Sequence, residues 1–152
     1  MSENTNLKIA LDNASDLFNN NNLNECIEQL EEILNIHPSN LKALSLLLDI
    51  NIKLNRAEKA LKIIKKLIQL EPDSKEHYEK LVKVHQFLND NRAYESALID
   101  FHKKFPSITT ARLISNIHIE NDREEESDQV IQSFFESDKK YGDLYKGIRH
   151  VK

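Results

Sequence analysis

Glycine is almost missing from this chain of 152 residues; only Gly142 and Gly147 occur, both near the end. Phosphate-cradling loops and dinucleotide fingerprints need glycine so that the backbone can approach the phosphate closely. Both routes to nucleotide binding are therefore excluded, and no cofactor is expected. Cysteine occurs once, as Cys26, so no disulfide can form within the chain and a reducing, cytoplasmic setting is expected. No apolar run exceeds three residues, as at Leu46-Leu47-Leu48, far short of the roughly 20 that span a bilayer. The opening Ser2-Glu3-Asn4-Thr5-Asn6 is polar and acidic and reads as no secretory signal.

Proline is scarce as well, and its few positions are informative. Pro38, Pro72 and Pro106 are the only prolines and lie 34 residues apart. Evenly spaced helix breakers mean an internal repeat of one helix pair per period. Counting each proline as third from the end of a repeat gives 7–40, 41–74 and 75–107 or 108. A fourth, without a proline, fits best from Ile108, one residue early, over 108–140. Residues 1–6 are expected to be flexible and 141–152 to form a tail or partial cap.

Inside each repeat the apolar residues recur at the three-and-four spacing of amphipathic helices. In the second, Ala43, Leu44, Leu47, Leu48, Ile50 and Leu54 line helix A, and Ala60, Leu61, Ile64, Leu67, Ile68 and Leu70 line helix B. The turns between A and B are rich in asparagine (Asn19 to Asn22, Asn55-Arg56, Asn89-Asp90-Asn91, Asn121-Asp122), which tolerates left-handed backbone. Ser39-Asn40, Asp73-Ser74 and Ser107 follow the prolines and can cap the next helix.

Charge is unevenly spread along a chain of net charge −4. Residues 1–40 carry one lysine against seven acids, whereas 41–83 carry ten basic residues against six acids. A pI near 5.9 argues against nucleic acid as a partner. The six histidines fall in no metal-binding motif and no cysteine pair accompanies them, so no metal site and no catalytic residue is assigned and the chain is not expected to be an enzyme. Lys59, Lys62 and Lys66 share one face of a B helix and read as solvated surface. The acidic stretch Glu120 to Asp128 suits the start of a helix, where the dipole favours negative charge.

With its period, its prolines and Ala60 at the small position of helix B, the chain resembles the tetratricopeptide repeat family over about residues 7–140. That resemblance implies an all-α fold, a right-handed α-solenoid of antiparallel helix pairs. It also implies a non-catalytic module that binds a partner protein or peptide in a concave groove. Counting repeat positions from each start, position 20 is Cys26, Ala60, Tyr94 and Ser127. Position 8, small in the family, is Ala14, Leu48, Val82 and Ser115; position 27, usually alanine, is Ile33, Leu67, Phe101 and Phe134. His85 and His118 fall at position 11, a packing site, and Cys26 at a small-residue site. All three are therefore read as core rather than ligand.

The resemblance places the groove on the A helices, at Lys42, Asp49 and Lys53 of the second repeat, Lys80, Lys83 and Phe87 of the third, and Arg112 and Asn116 of the fourth. Lys80, Lys83 and Arg112 would make a mildly basic patch suited to an acidic peptide or a C-terminal carboxylate. The clamp by which some members hold the tails of heat-shock chaperones is not matched; its positions hold Leu11, Ser15, Leu46, Glu76 and Lys80, or Ser45, Asp49, Lys80, Thr109 and Leu113. A second reading is an assembly or positioning domain. In it the array forms a homodimer or precedes a fused C-terminal domain, such as a glycan-modifying transferase.

Overall fold

The computed structural model describes residues 3–137. The expected tail at 141–152, and the last residues of the fourth repeat, lie outside them. The described residues form eight helices and no strand: α1 (Glu3–Asn19), α2 (Leu23–Ile36), α3 (Leu41–Lys53), α4 (Ala57–Leu70), α5 (Lys75–Phe87), α6 (Asn91–Lys104), α7 (Ile108–Glu120) and α8 (Glu124–Ser137). Odd numbers are A helices and even numbers B helices. Helix α1 begins at Glu3, so residues 3–6, expected to be flexible, continue it by one turn.

The proline period is written into the backbone. His37, Glu71 and Phe105 each precede a proline and end a B helix with nearly the same conformation, φ −123, −129 and −130 with ψ 74, 73 and 71. Proline disfavours the helical region for the residue before it. Each of the three donates a last helical hydrogen bond, to Ile33, Leu67 and Phe101 at 2.7, 2.8 and 2.8 Å.

The A helices end by a second repeated device. Asn21, Asn55, Asn89 and Asp122 hold φ of 61, 55, 52 and 58°. Around three of them both closing bonds form: Asn22 to Leu17 and Asn21 to Phe18, Arg56 to Asn51 and Asn55 to Ile52, Arg123 to His118 and Asp122 to Ile119. This left-handed cap usually carries glycine; here asparagine and aspartate take its place, which is how four sharp turns are made without it. The step from Asn89 to Asp122 is one residue shorter than the others, as the early start at Ile108 requires. Asn55→Gly should leave stability unchanged or raise it, whereas Asn55→Ala should lower it by about 1 kcal/mol, read from urea midpoints at unchanged slope.

Start signals divide. Asn40 accepts from Ala43 N at 2.9 Å and Ser107 from Thr110 N at 3.1 Å. Ser74 precedes α5 without a side-chain cap. Asp90, expected only as turn, caps α6 by accepting from Ala93 N at 3.1 Å.

The chain divides between Leu88 and Asn89 into two compact units. In the first, α3 is packed on two sides. Ala43, Leu47 and Ile50 join Leu11, Ala14, Cys26, Leu30 and Ile33 in one cluster. Leu44 and Leu48 join Ala60, Ile64, Leu67 and Val84 in another. In the second unit Ala97, Leu98, Phe101, Ala111, Ile114 and Phe134 are buried. Tyr94, at the position where Cys26, Ala60 and Ser127 are buried, is only half-buried, while Ala97 and Leu98 of the same helix are buried.

Candidate functional site

The A helices of the first compact unit place their outward residues by helical spacing, and their lysines reach back one repeat. Lys42 Nζ of α3 meets Asp12 Oδ1 of α1 at 3.2 Å. Lys53 Nζ donates to Asn21 Oδ1 at 2.8 Å and lies 5.7 Å from the Phe18 ring centroid, a cation–π approach. Lys80 Nζ of α5 donates to Asp49 Oδ1 of α3 at 2.8 Å and to Glu76 Oε1, one turn earlier on its own helix, at 2.9 Å. Four of the residues expected to receive a ligand, Lys42, Asp49, Lys53 and Lys80, thus tie neighbouring repeats together.

These ties are unequal. Lys42 and Asp12 are both more than half exposed, where an ion pair contributes about 0–1 kcal/mol. The Lys80 side chain is 20% exposed. Burial pulls its ammonium pKa down, but the hydrogen bonds and charges of Asp49 and Glu76 outweigh this and hold it above the ordinary lysine value. In return the hydrogen bond from Lys80, then its charge, hold the Glu76 carboxyl below the ordinary range. Of the basic patch expected from Lys80, Lys83 and Arg112, Lys80 thus has its charge met by two carboxylates. Lys83 is exposed with no ion-pair partner among the described residues. Arg112 and Asn116 are exposed on α7, in the second compact unit.

Beside Lys83 the surface is apolar. A cleft of about 290 Å³ opens between the end of α3, the start of α4 and the end of α5, lined by Ile52, Ala57, Ala60, Val84 and Phe87 with Lys83 at its edge. Phe87 is 69% exposed. The size lies at the low end of ligand pockets, about 300–1,000 Å³, room for a peptide side chain or two rather than a cofactor.

The remaining polar groups have packing roles. Cys26 Sγ donates to the Ala14 carbonyl at 3.1 Å where α1 crosses α2, and burial raises its thiol pKa, which makes it inert. At the same crossing in the fourth repeat, Ser115 and Ser127 share a hydrogen bond of 2.7 Å. His118 is buried, as its repeat position predicts, with Nε2 3.3 Å from Glu95 Oε1. Glu95 also accepts from Arg123 at 2.7 Å. This pairing spans 28 residues and left no signal in the sequence. His77, also buried, sits 2.8 Å from Glu71 Oε2. Among the described residues no three His, Cys, Asp or Glu side chains are grouped to hold a metal.

His102 shares a 2.6 Å hydrogen bond with Thr110, and burial lowers its pKa from the ordinary 6.5. Around that pH the unfolded chain then binds more protons than the folded one, so stability rises with pH up to about 6.5 and levels off above. Comparing urea midpoints from pH 5 to 8, His102→Gln should flatten this slope.

Comparison with known proteins follows the same lines. A tetratricopeptide repeat family model matches residues 4–83. No curated protein matches the chain significantly. Among solved structures, MamA AMB-1 is 17% identical with a TM-score of 0.67, over 86% of this chain and 72% of that one. The structure of MamA from residue 41 to the end, from Desulfovibrio magneticus RS-1, is 12% identical with a TM-score of 0.63, over 86% and 74%. A further MamA crystal structure is 16% identical with a TM-score of 0.66, over 93% and 83%. At such identities the likeness is one of fold. No helix among the described residues is long and apolar enough to cross a membrane.

Proposed function

Because the chain belongs to the tetratricopeptide repeat family, we propose that it is a non-catalytic interaction module that takes a partner peptide at the cleft beside Lys83 and Phe87. The fold is that of a protein-interaction scaffold. The observation that carries the reading is local: a large aromatic left 69% exposed on the rim of an apolar cleft, next to a lysine without an acidic partner among the described residues. Apolar anchors in a pocket supply most of the binding energy at such sites, and a rim charge supplies selectivity. The ligand that fits is a short segment with a bulky apolar side chain next to an Asp or Glu. Lys42, Lys53 and Lys80 act in this reading as ties that hold the A helices in place, not as ligand contacts.

A phage-displayed library of random peptides selected on the chain tests this. Enrichment of an apolar residue next to an acid is the expected result. Phe87→Ala should then weaken a selected peptide by on the order of 2 kcal/mol, roughly thirtyfold. Lys83→Glu should remove the preference for acids. No enrichment, or enrichment indifferent to both substitutions, refutes the site.

A further inference from the structure

The first repeat carries a second open surface, away from the α3–α5 cleft. A cleft of about 430 Å³ lies between α1 and α2, floored by Leu7, Ala10 and Ile33 and edged by Asn13, Gln29 and Ile36. Moving forward by one period of 34 residues shows what such a surface is for. The matching residues of the second repeat include Leu44, Leu47, Ile63, Leu67 and Leu70. Leu44 and Leu47 are buried, Leu47 within the cluster formed with α1 and α2. In the second repeat, then, the part of this face at Leu47 and Ile63, which match Asn13 and Gln29, packs against the cluster of α1 and α2, while Leu44 and Leu67 are buried with α4 and Leu70 stays 39% exposed. In the first, Ile36 is 70% exposed and Ile9, on α1, 46%.

Two further observations describe what would cover it. Gln29 Oε1, at the edge of the cleft, is buried without a hydrogen-bond partner among the described residues. A buried acceptor left unpaired is costly, and a turn of the amide outward would offer it to a donor on a covering chain. The setting is also strongly acidic. Glu25, Glu28, Glu31 and Glu32 are all exposed on α2 and none has an ion pair among the described residues. Only one lysine occurs in the first 40 residues. An anionic lipid surface or a nucleic acid would be repelled.

We propose that this face docks an amphipathic helix of a partner protein, with an apolar stripe that fills the cleft over Leu7, Ala10 and Ile36, and Lys or Arg beside the stripe to meet the glutamates and Gln29. The mode is helix-in-groove recognition, with the partner helix on the side that the preceding repeat takes at Leu47 and Ile63 of the second repeat.

The test titrates the full chain with two synthetic helical peptides, each with a leucine stripe, one flanked by lysines and the other by glutamates. The lysine peptide should bind saturably, with amide shifts concentrated at Leu7, Ala10, Asn13, Gln29 and Ile36, and more weakly as salt is raised. Ile36→Glu, at an exposed position where circular dichroism should not change, should weaken it by about tenfold. Glu32→Lys should weaken it too, while Phe87→Ala should leave it unchanged, which separates this face from the cleft beside Lys83. Failure of the lysine peptide to saturate, equal binding of the glutamate peptide, or indifference to Ile36→Glu would overturn the proposal. So would self-association in light scattering that Ile36→Glu abolishes, since the occupant would then be a second copy.

Discussion

Leu67→Ala should destabilise the chain by about 3 kcal/mol, although alanine is the residue its repeat position usually carries in the family. Leu67 is fully buried between Leu48, Ala60, Ile64 and Val84. Truncating it removes the transfer free energy of its side chain and leaves a cavity that helices fixed on both sides cannot collapse to fill. The same position holds Ile33, Phe101 and Phe134, each less than a tenth exposed, so the large residue is a consistent choice in this array. Urea denaturation followed by circular dichroism checks it: the midpoint should fall with the slope unchanged. A midpoint that holds or rises would mean that α4 relaxes onto its neighbours and that the position is overfilled.

A compensation for these large residues lies at the crossing of the A and B helices. In the first repeat Ala14 faces Cys26, and the thiol reaches the Ala14 carbonyl at 3.1 Å. In the fourth, Ser115 and Ser127 face each other at 2.7 Å. In the second, Leu48 is large but Ala60 is small, and both are fully buried. At least one member of each of these pairs is small, which lets the helices approach where the family uses glycine or alanine. The bulk moves about two turns along, to the position of Leu67.

The features legible in the sequence are those fixed by backbone rules. A proline constrains itself and its predecessor, so three prolines at equal spacing imply three matching helix ends, and φ at His37, Glu71 and Phe105 agrees within 7°. Asparagine in the turns foretold positive φ for the same reason. Burial of His118 and Cys26 followed from their repeat positions. What sequence could not give is which partner a long side chain selects. Repeat position put Lys80 on the groove side, yet an ammonium on four carbons reaches several acids, and which it meets depends on how α3 and α5 pack. Ser74 shows the same limit, since a hydroxyl before a helix permits a cap without enforcing one. The cleft beside Phe87 and the unpaired Gln29 Oε1 are properties of packed surfaces, without a spacing that announces them.

Lys80→Glu should lower stability by about 2 kcal/mol, the largest effect expected from any of the groove lysines. The substitution removes both hydrogen bonds of a side chain only 20% exposed and sets a third carboxylate beside Asp49 and Glu76. Glu76 then loses the partner that holds its pKa down, so much of the deficit is like-charge repulsion. It should shrink in 1 M salt, where the screening length is about 3 Å, and also as acid neutralises the carboxylates. Lys80→Met removes the charge without adding one and should cost about half as much. Lys83→Glu, exposed and without an ion-pair partner among the described residues, should fall within about 0.5 kcal/mol of the parent. That ordering separates structure from recognition on one helix. Loss of a peptide in Lys80→Glu would follow from a loosened α3–α5 pair even if no ligand touched Lys80, whereas loss in Lys83→Glu with stability intact can come only from the surface the ligand meets. A Lys80→Glu variant as stable as the parent would remove the tie between the A helices and restore Lys80 to the candidates for direct ligand contact.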